Sequence, residues 1–115
     1  MKLNVLASVI GLTGSALLFS PMASAAVDAD AAQALAKKEG CFKCHAVDKK
    51  KEAKSLKDIS KKFAGKADAE AKILHHITSG EKVKMEDGTE EDHKIIKTKD
   101  KGEINNLIAW ILSLK

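Results

Sequence analysis

The chain has no arginine and no tyrosine, and only one proline and two cysteines in 115 residues. Each scarcity narrows what the protein can be. Without guanidinium groups to fork onto bases or phosphates, and with aromatics at 3 % of residues, nucleic acid is excluded as a partner. Two cysteines cannot form a disulfide framework, and a bridge across two intervening residues would close too small a loop to constrain much. A structural zinc site wants four ligands, two of them from a second pair, and the chain has no second cysteine pair. Few aromatics in so short a chain also mean a thin core, and small domains with thin cores usually carry a staple.

What is present begins with the N-terminus. Met1-Lys2 is a basic opening, Leu3 to Phe19 is apolar and small, Pro21 breaks the run, and Ala23-Ser24-Ala25 is an A-x-A cleavage signal. That order is the layout of a secretory signal peptide over residues 1–25, leaving one domain over 26–115 in the periplasm. The alternative is a retained membrane anchor. Asn4, Ser8 and Thr13 interrupt a run already short for a span, so no membrane insertion is expected after processing.

The two cysteines lie in Cys41-Phe42-Lys43-Cys44-His45. C-x-x-C-H is the spacing for covalent haem attachment. Two thiols separated by two residues can each add to one of two neighbouring vinyl groups, and the next imidazole is carried beneath the iron as proximal ligand. A tethered cofactor is not lost outside the cell, and its flat apolar body supplies the missing staple. A thioredoxin-like use of C-x-x-C needs a strand-rich surrounding, and none is apparent.

The remaining chain reads as helices. Asp28 or Asp30 can cap a first helix with Ala32, Leu35 and Ala36 on one side, stopped by Gly40. Residues 46–54 are a charged loop. Ser55 with Asp58 forms a capping box for a helix with Leu56, Ile59 and Phe63 inward, ending at Gly65. Asp68 opens a third helix with Ile73, Leu74 and Ile77 as its apolar face, ending at Gly80. Asp100 with Glu103 opens the last, where Ile104, Leu107, Ile108 and Ile111 recur at helical spacing. Residues 81–99 form a long non-helical connection, which in a small domain is usually functional. Asp87-Gly88 signals a turn there, and Val83–Met85 and Lys94–Thr98 are candidates for a short hairpin.

With "GCFKCHAVD" after a first helix, "SLKDISKKFAGKADAEAKI" in the middle and "NNLIAWILSLK" at the end, residues 26–115 resemble the small bacterial class I c-type cytochromes. The resemblance implies an all-α fold, about four helices wrapped around one covalent haem c. Its first and last helices would cross where Ala32, Leu35 and Ala36 approach Leu107 and Trp110. It implies one-electron transfer and no enzymatic turnover. Two departures stand out. Where the family usually has a proline whose carbonyl orients the proximal imidazole, this chain has about there Lys54, whose carbonyl can accept equally well. Where the family supplies a methionine from a proline-rich loop, this loop has no proline and offers both Met85 and His93.

The family's sixth ligand lies about four to five helical turns' worth of residues before the C-terminal aromatic. His93 is 17 positions before Trp110, and Met85 is 25. Met85 also follows Gly80 by only 5 residues, a short reach around a porphyrin. Glu90, Glu91 and Asp92 crowd His93, and one of them could accept from its second ring N–H. These points favour His93 over Met85, which would give the usual His/Met iron or act as core filler. His76, one residue before apolar Ile77, is the candidate for contact with a haem propionate, whereas His75 reads as a surface residue. Lys37, Lys38, Lys43, Lys49, Lys50, Lys51 and Lys54 flank the haem motif and suit acidic docking surfaces on redox partner proteins. The rival to an electron carrier is a haem protein whose labile or vacant sixth site admits a gas or peroxide, as sensor or enzyme.

Overall fold

A computed structural model describes residues 26–115. The signal-peptide reading of residues 1–25 lies outside the described residues. Among those described, four helices and one two-stranded hairpin follow in the order α1 (Ala29–Glu39), α2 (Leu56–Phe63), α3 (Ala69–Ser79), β1 (Lys82–Lys84), β2 (Glu90–Asp92) and α4 (Lys101–Ser113). None of these helices is long and apolar enough to cross a membrane.

The helix boundaries follow the capping chemistry of the sequence. The Asp28 carboxylate accepts the Ala31 N–H, the Ser55 hydroxyl accepts the Asp58 N–H, and Asp100 accepts the Glu103 N–H, each at 3.0 Å. The return half of the last box is rerouted. The Glu103 carboxylate takes the Thr98 hydroxyl at 2.7 Å, and the Thr98 oxygen takes the Asp100 N–H at 3.2 Å. Asp68 stands at the start of α3 without capping it and instead pairs with Lys72 at 2.9 Å.

Helix α1 packs on α4 more extensively than any other two helices pack together. Ala32, Leu35 and Ala36 share one buried cluster with Ile104, Leu107, Ile108, Trp110 and Ile111, joined by Leu56, Ile73, Ile77 and Ile96. Asn106 fastens the far end of this pair, accepting from the Asp28 N–H at 2.9 Å and donating to its carbonyl at 2.8 Å. Leu74 departs from the expected face of α3. It is 41 % exposed, because α3 meets its neighbours along the Ile73–Ile77 edge alone.

The hairpin forms with a different second strand. Lys82, Val83 and Lys84 pair antiparallel with Asp92, Glu91 and Glu90, so 94–98 is left out. The register sets lysines opposite carboxylates at both ends, and Lys82 reaches Asp92 at 2.7 Å. Opposite charges facing across strands favour such a register. Residues 93–99 instead run as an irregular strap. The His93 N–H donates to the Glu81 carbonyl at 2.8 Å and the Ile96 N–H to the Ile77 carbonyl at 3.0 Å.

Glu39 holds the other edge of that strap. Its carboxylate accepts the Lys97 N–H at 2.7 Å and the Thr98 N–H at 3.2 Å, and the residue is only 3 % exposed. The Lys97 amide is the main cause that keeps this carboxyl below its ordinary 4.5, against the opposing effect of burial. A carboxyl with a depressed folded value stabilises fully above the unfolded value, and that stabilisation is lost as pH falls through the folded one. Glu39→Gln is therefore expected to flatten the loss of stability on the acid side of 4.5. Denaturant titrations of the holoprotein from about pH 3 to 7 would read it as a difference from wild type that shrinks towards low pH.

Candidate haem site

Gly40 makes the site possible. It closes α1 in the left-handed conformation, φ +81°, with its N–H directed at the last carbonyls of the helix. A side chain is strained in that conformation, and a Cβ here would also sit 2.7 Å from Lys94 Nζ. The chain leaves Gly40 into a single 3₁₀ turn, Cys41–Lys43, and the His45 N–H closes back on the Cys41 carbonyl at 2.9 Å. Both thiols and the imidazole are thereby presented within five residues. Burial, followed by the Glu39 charge, pushes the Cys41 thiol up from its ordinary value.

Residues 46–54 fold back beneath His45. The Ala53 N–H donates to the Cys44 carbonyl at 3.0 Å, which brings the Lys54 carbonyl to 2.7 Å from His45 Nδ1. A carbonyl can only accept, so Nδ1 carries the proton and Nε2 keeps its lone pair free for a metal. Lys54 thus does what the sequence expected of the usual proline. Burial lowers the His45 pKa, outweighing the Lys54 carbonyl, so the ring is neutral as ligation requires.

Cys41, Cys44, His45, His76, Met85 and His93 all line one cavity of about 830 Å³. That is towards the upper end of the ~300–1,000 Å³ usual for cofactor pockets. Most of its exposed wall is apolar, with Leu56, Ile59, Phe63, Ile73, Ile77 and Leu107 among the side chains that supply it. Every expected site residue therefore reaches one place.

The His45 and His93 ring centroids are 6.3 Å apart. A ligating imidazole nitrogen lies about 2 Å from its metal and about 1.1 Å from its ring centroid, so two imidazoles facing each other across one metal would have centroids ~6.3 Å apart. His93 Nδ1 is, among the described residues, the one buried side-chain nitrogen or oxygen without a hydrogen-bond partner. Burial, then His76, then His45 lower the His93 pKa, so this ring too is neutral. Met85 is fixed in the hairpin turn, where its N–H donates to the Thr89 carbonyl at 2.7 Å.

The expected carboxylate partner of His93 is not met. Glu90, Glu91 and Asp92 lie exposed on β2, where the strand pairing sets Glu90 and Asp92 opposite lysines of β1 and Glu91 opposite Val83. Glu81 stands closer to the histidines. It accepts from His76 Nδ1 at 2.6 Å and lies 3.4 Å from His75 Nε2, and the His76 ring packs against His93 at a 42° tilt with centroids 3.9 Å apart. The His76 bond is the main cause holding the Glu81 carboxyl below its usual range. Glu81 and Glu39 are the site's neighbours that the sequence did not disclose. A glutamate beside a glycine at a helix end carries no local sign of what it will meet.

Of the lysines flanking the haem motif, Lys43 and Lys54 line the cavity, joined by Lys62, Lys72, Lys84 and Lys94 from elsewhere in the chain. Lys50 is paired with Glu86 at 2.6 Å, and Lys51 donates to the Phe42 carbonyl at 2.9 Å.

A mostly helical shell with one small hairpin, around a largely apolar cavity with two thiols and an oriented imidazole at its wall, fits a haem held covalently through two thioethers. It defines a monohaem c-type haem protein. The family model for cytochrome c matches residues 29–115. The chain is 35 % identical over 83 residues to cytochrome c2 of Rhodocyclus tenuis, covering 71 % of this chain and 90 % of that protein. It is 44 % identical to cytochrome c-551 of Pseudomonas aeruginosa over 48 residues, a match spanning 42 % of this chain and 46 % of that one. Among solved structures, the class 1 cytochrome MtoD of Sideroxydans lithotrophicus ES-1 is similar with a TM-score of 0.74 and 58 % identity, over 77 % of this chain and 98 % of that one. Cytochrome c552 of Nitrosomonas europaea follows at 0.59 and 31 %, over 72 % and 99 %. The chain belongs to the cytochrome c family, as a small class I c-type cytochrome with one covalent haem c attached through Cys41 and Cys44.

Proposed function

We propose that the protein is a periplasmic one-electron carrier, exported by residues 1–25, whose haem iron is bound by His45 and His93. The bound group supplies exchange between ferrous and ferric iron. The chain's own part is to keep both imidazoles neutral, orient His45 through the Lys54 carbonyl and exclude water with apolar walls. The observation that carries the reading is the 6.3 Å separation of the two rings in one cavity with both thiols. Met85 takes the place of core filler beside Val83. In the same reading His76, its Nδ1–H donating to Glu81, meets a haem propionate through Nε2–H as an imidazolium. The lysines around the cavity favour acidic docking surfaces on redox partners. Two strong protein ligands leave no position for a substrate, which separates a carrier from a gas- or peroxide-binding protein.

The test is a low-temperature electron paramagnetic resonance spectrum of the oxidised protein, with a potentiometric titration. A low-spin bis-imidazole signal and a one-electron transition are expected. An imidazole–thioether signal would assign the site to Met85, and a high-spin signal would favour the labile-site rival.

A further inference from the structure

We infer that Glu39 is a positioning residue for the sixth ligand: its buried carboxylate clamps the strap that carries His93 against the end of α1. The inference rests on His93 being the sixth ligand, as proposed above. The strap has no regular backbone pairing of its own, so its position depends on the few groups that reach it. On the His93 side two carbonyls, of Glu81 and Ile77, take single N–H groups. On the other side one side chain takes two consecutive amides, Lys97 and Thr98, from 58 and 59 positions away. Bonds to an ionised carboxylate are roughly twice as strong as neutral ones, and these are out of water. Glu39 also stands two residues before Cys41. One carboxylate thus joins the segment that anchors the haem edge to the segment that delivers the distal imidazole, with only Gly40 between the carboxylate's residue and the first thioether.

Detaching His93 from iron requires the strap to move, and moving the strap requires breaking the Glu39 bonds. The clamp therefore keeps the iron six-coordinate. Glutamine at 39 retains one acceptor oxygen and can hold one of the two amides, whereas alanine holds neither.

The test uses reduced holoprotein and carbon monoxide, whose binding rate at saturation reports how fast the distal ligand leaves. Glu39→Ala is expected to raise that limiting rate at least tenfold, equivalent to about 1.4 kcal/mol, with Glu39→Gln in between and the ferric spectrum still low-spin. Asn106→Ala is the control. It loosens α1 from α4 at Asp28, and neither residue lines the cavity, so its rate should match wild type. A wild-type rate in Glu39→Ala, or in Glu39→Gln if the alanine variant does not fold, would overturn the inference. So would an equal acceleration in Asn106→Ala, which would reduce Glu39 to general stability. His93→Ala in the same series separates the two ideas: if it stays low-spin and slow towards carbon monoxide, the His93 ligation itself falls, and the clamp with it.

Discussion

Replacing both Cys41 and Cys44 by alanine is expected to yield a colourless polypeptide of unmodified mass, poorly folded and rapidly degraded, from a host competent for export and haem attachment. The size of the effect follows from the core. Leu56, Ile73, Ile77, Ile96, Leu107 and Ile111 are nearly inaccessible, yet all line the cavity. Without the flat apolar body that fills a space of about 830 Å³, these side chains face an opening too large to collapse. Alternative staples are lacking, since the cysteines are unpaired and the described residues contain no group of three or more histidine, cysteine or carboxylate side chains suited to a metal ion. Single replacements retain one thioether and His45, so a lower yield of coloured, less stable protein is expected from each. Absorbance and intact mass of the exported product check this. A double variant that accumulated as a coloured, stable protein would show that ligation and packing suffice without the covalent bonds.

The second large effect is expected at His93. His93→Ala should convert the oxidised iron from low to high spin and let carbon monoxide bind the reduced form rapidly, while Met85→Ala leaves both properties unchanged. The contrast is expected because both residues line the cavity but stand in different surroundings. Burial and two neighbouring imidazoles lower the His93 pKa, which favours the neutral ring, and its centroid lies 6.3 Å from that of His45. Met85 belongs to a turn locked by its own N–H, and its carbonyl accepts the Gly88 N–H at 3.0 Å. Restoring a thioether with His93→Met should recover low spin and raise the reduction potential by roughly a tenth of a volt or more, within the ~0.8 V range over which axial ligands tune haem. Spectroscopy and potentiometry on the three variants decide the matter. Loss of low spin in Met85→Ala with retention in His93→Ala would reverse the assignment.

Much of the architecture was legible in the chain because it depends on short-range rules. Asp28, Ser55 and Asp100 cap helices through bonds reaching three residues, and Gly40 and Gly80 end helices because they tolerate positive φ. The apolar spacing of residues 104–111 fixed which face of α4 is buried. The same rules misplace Leu74, because a helix's periodicity defines an apolar stripe but not how wide a strip its neighbours cover. They also misplace the second strand of the hairpin. Lys94–Thr98 has the β-branched residues of a strand, but cross-strand charge pairing selected the acidic run before it.

Covalent attachment is a property of the sequence by itself, since two thiols and an imidazole within five residues must fall within reach of one porphyrin edge and its metal once Gly40 turns the chain. The remainder of the site was decided only by tertiary structure. That Glu39 meets the amides of Lys97 and Thr98, that Glu81 rather than its acidic neighbours on β2 stands beside the histidines, and that His93 comes to 6.3 Å from His45 all depend on how α1, α3 and the strap pack. Local bonding holds for a few residues along the chain. Contacts between distant segments arise from the balance of burial and charge over the whole molecule, which no short stretch of sequence contains.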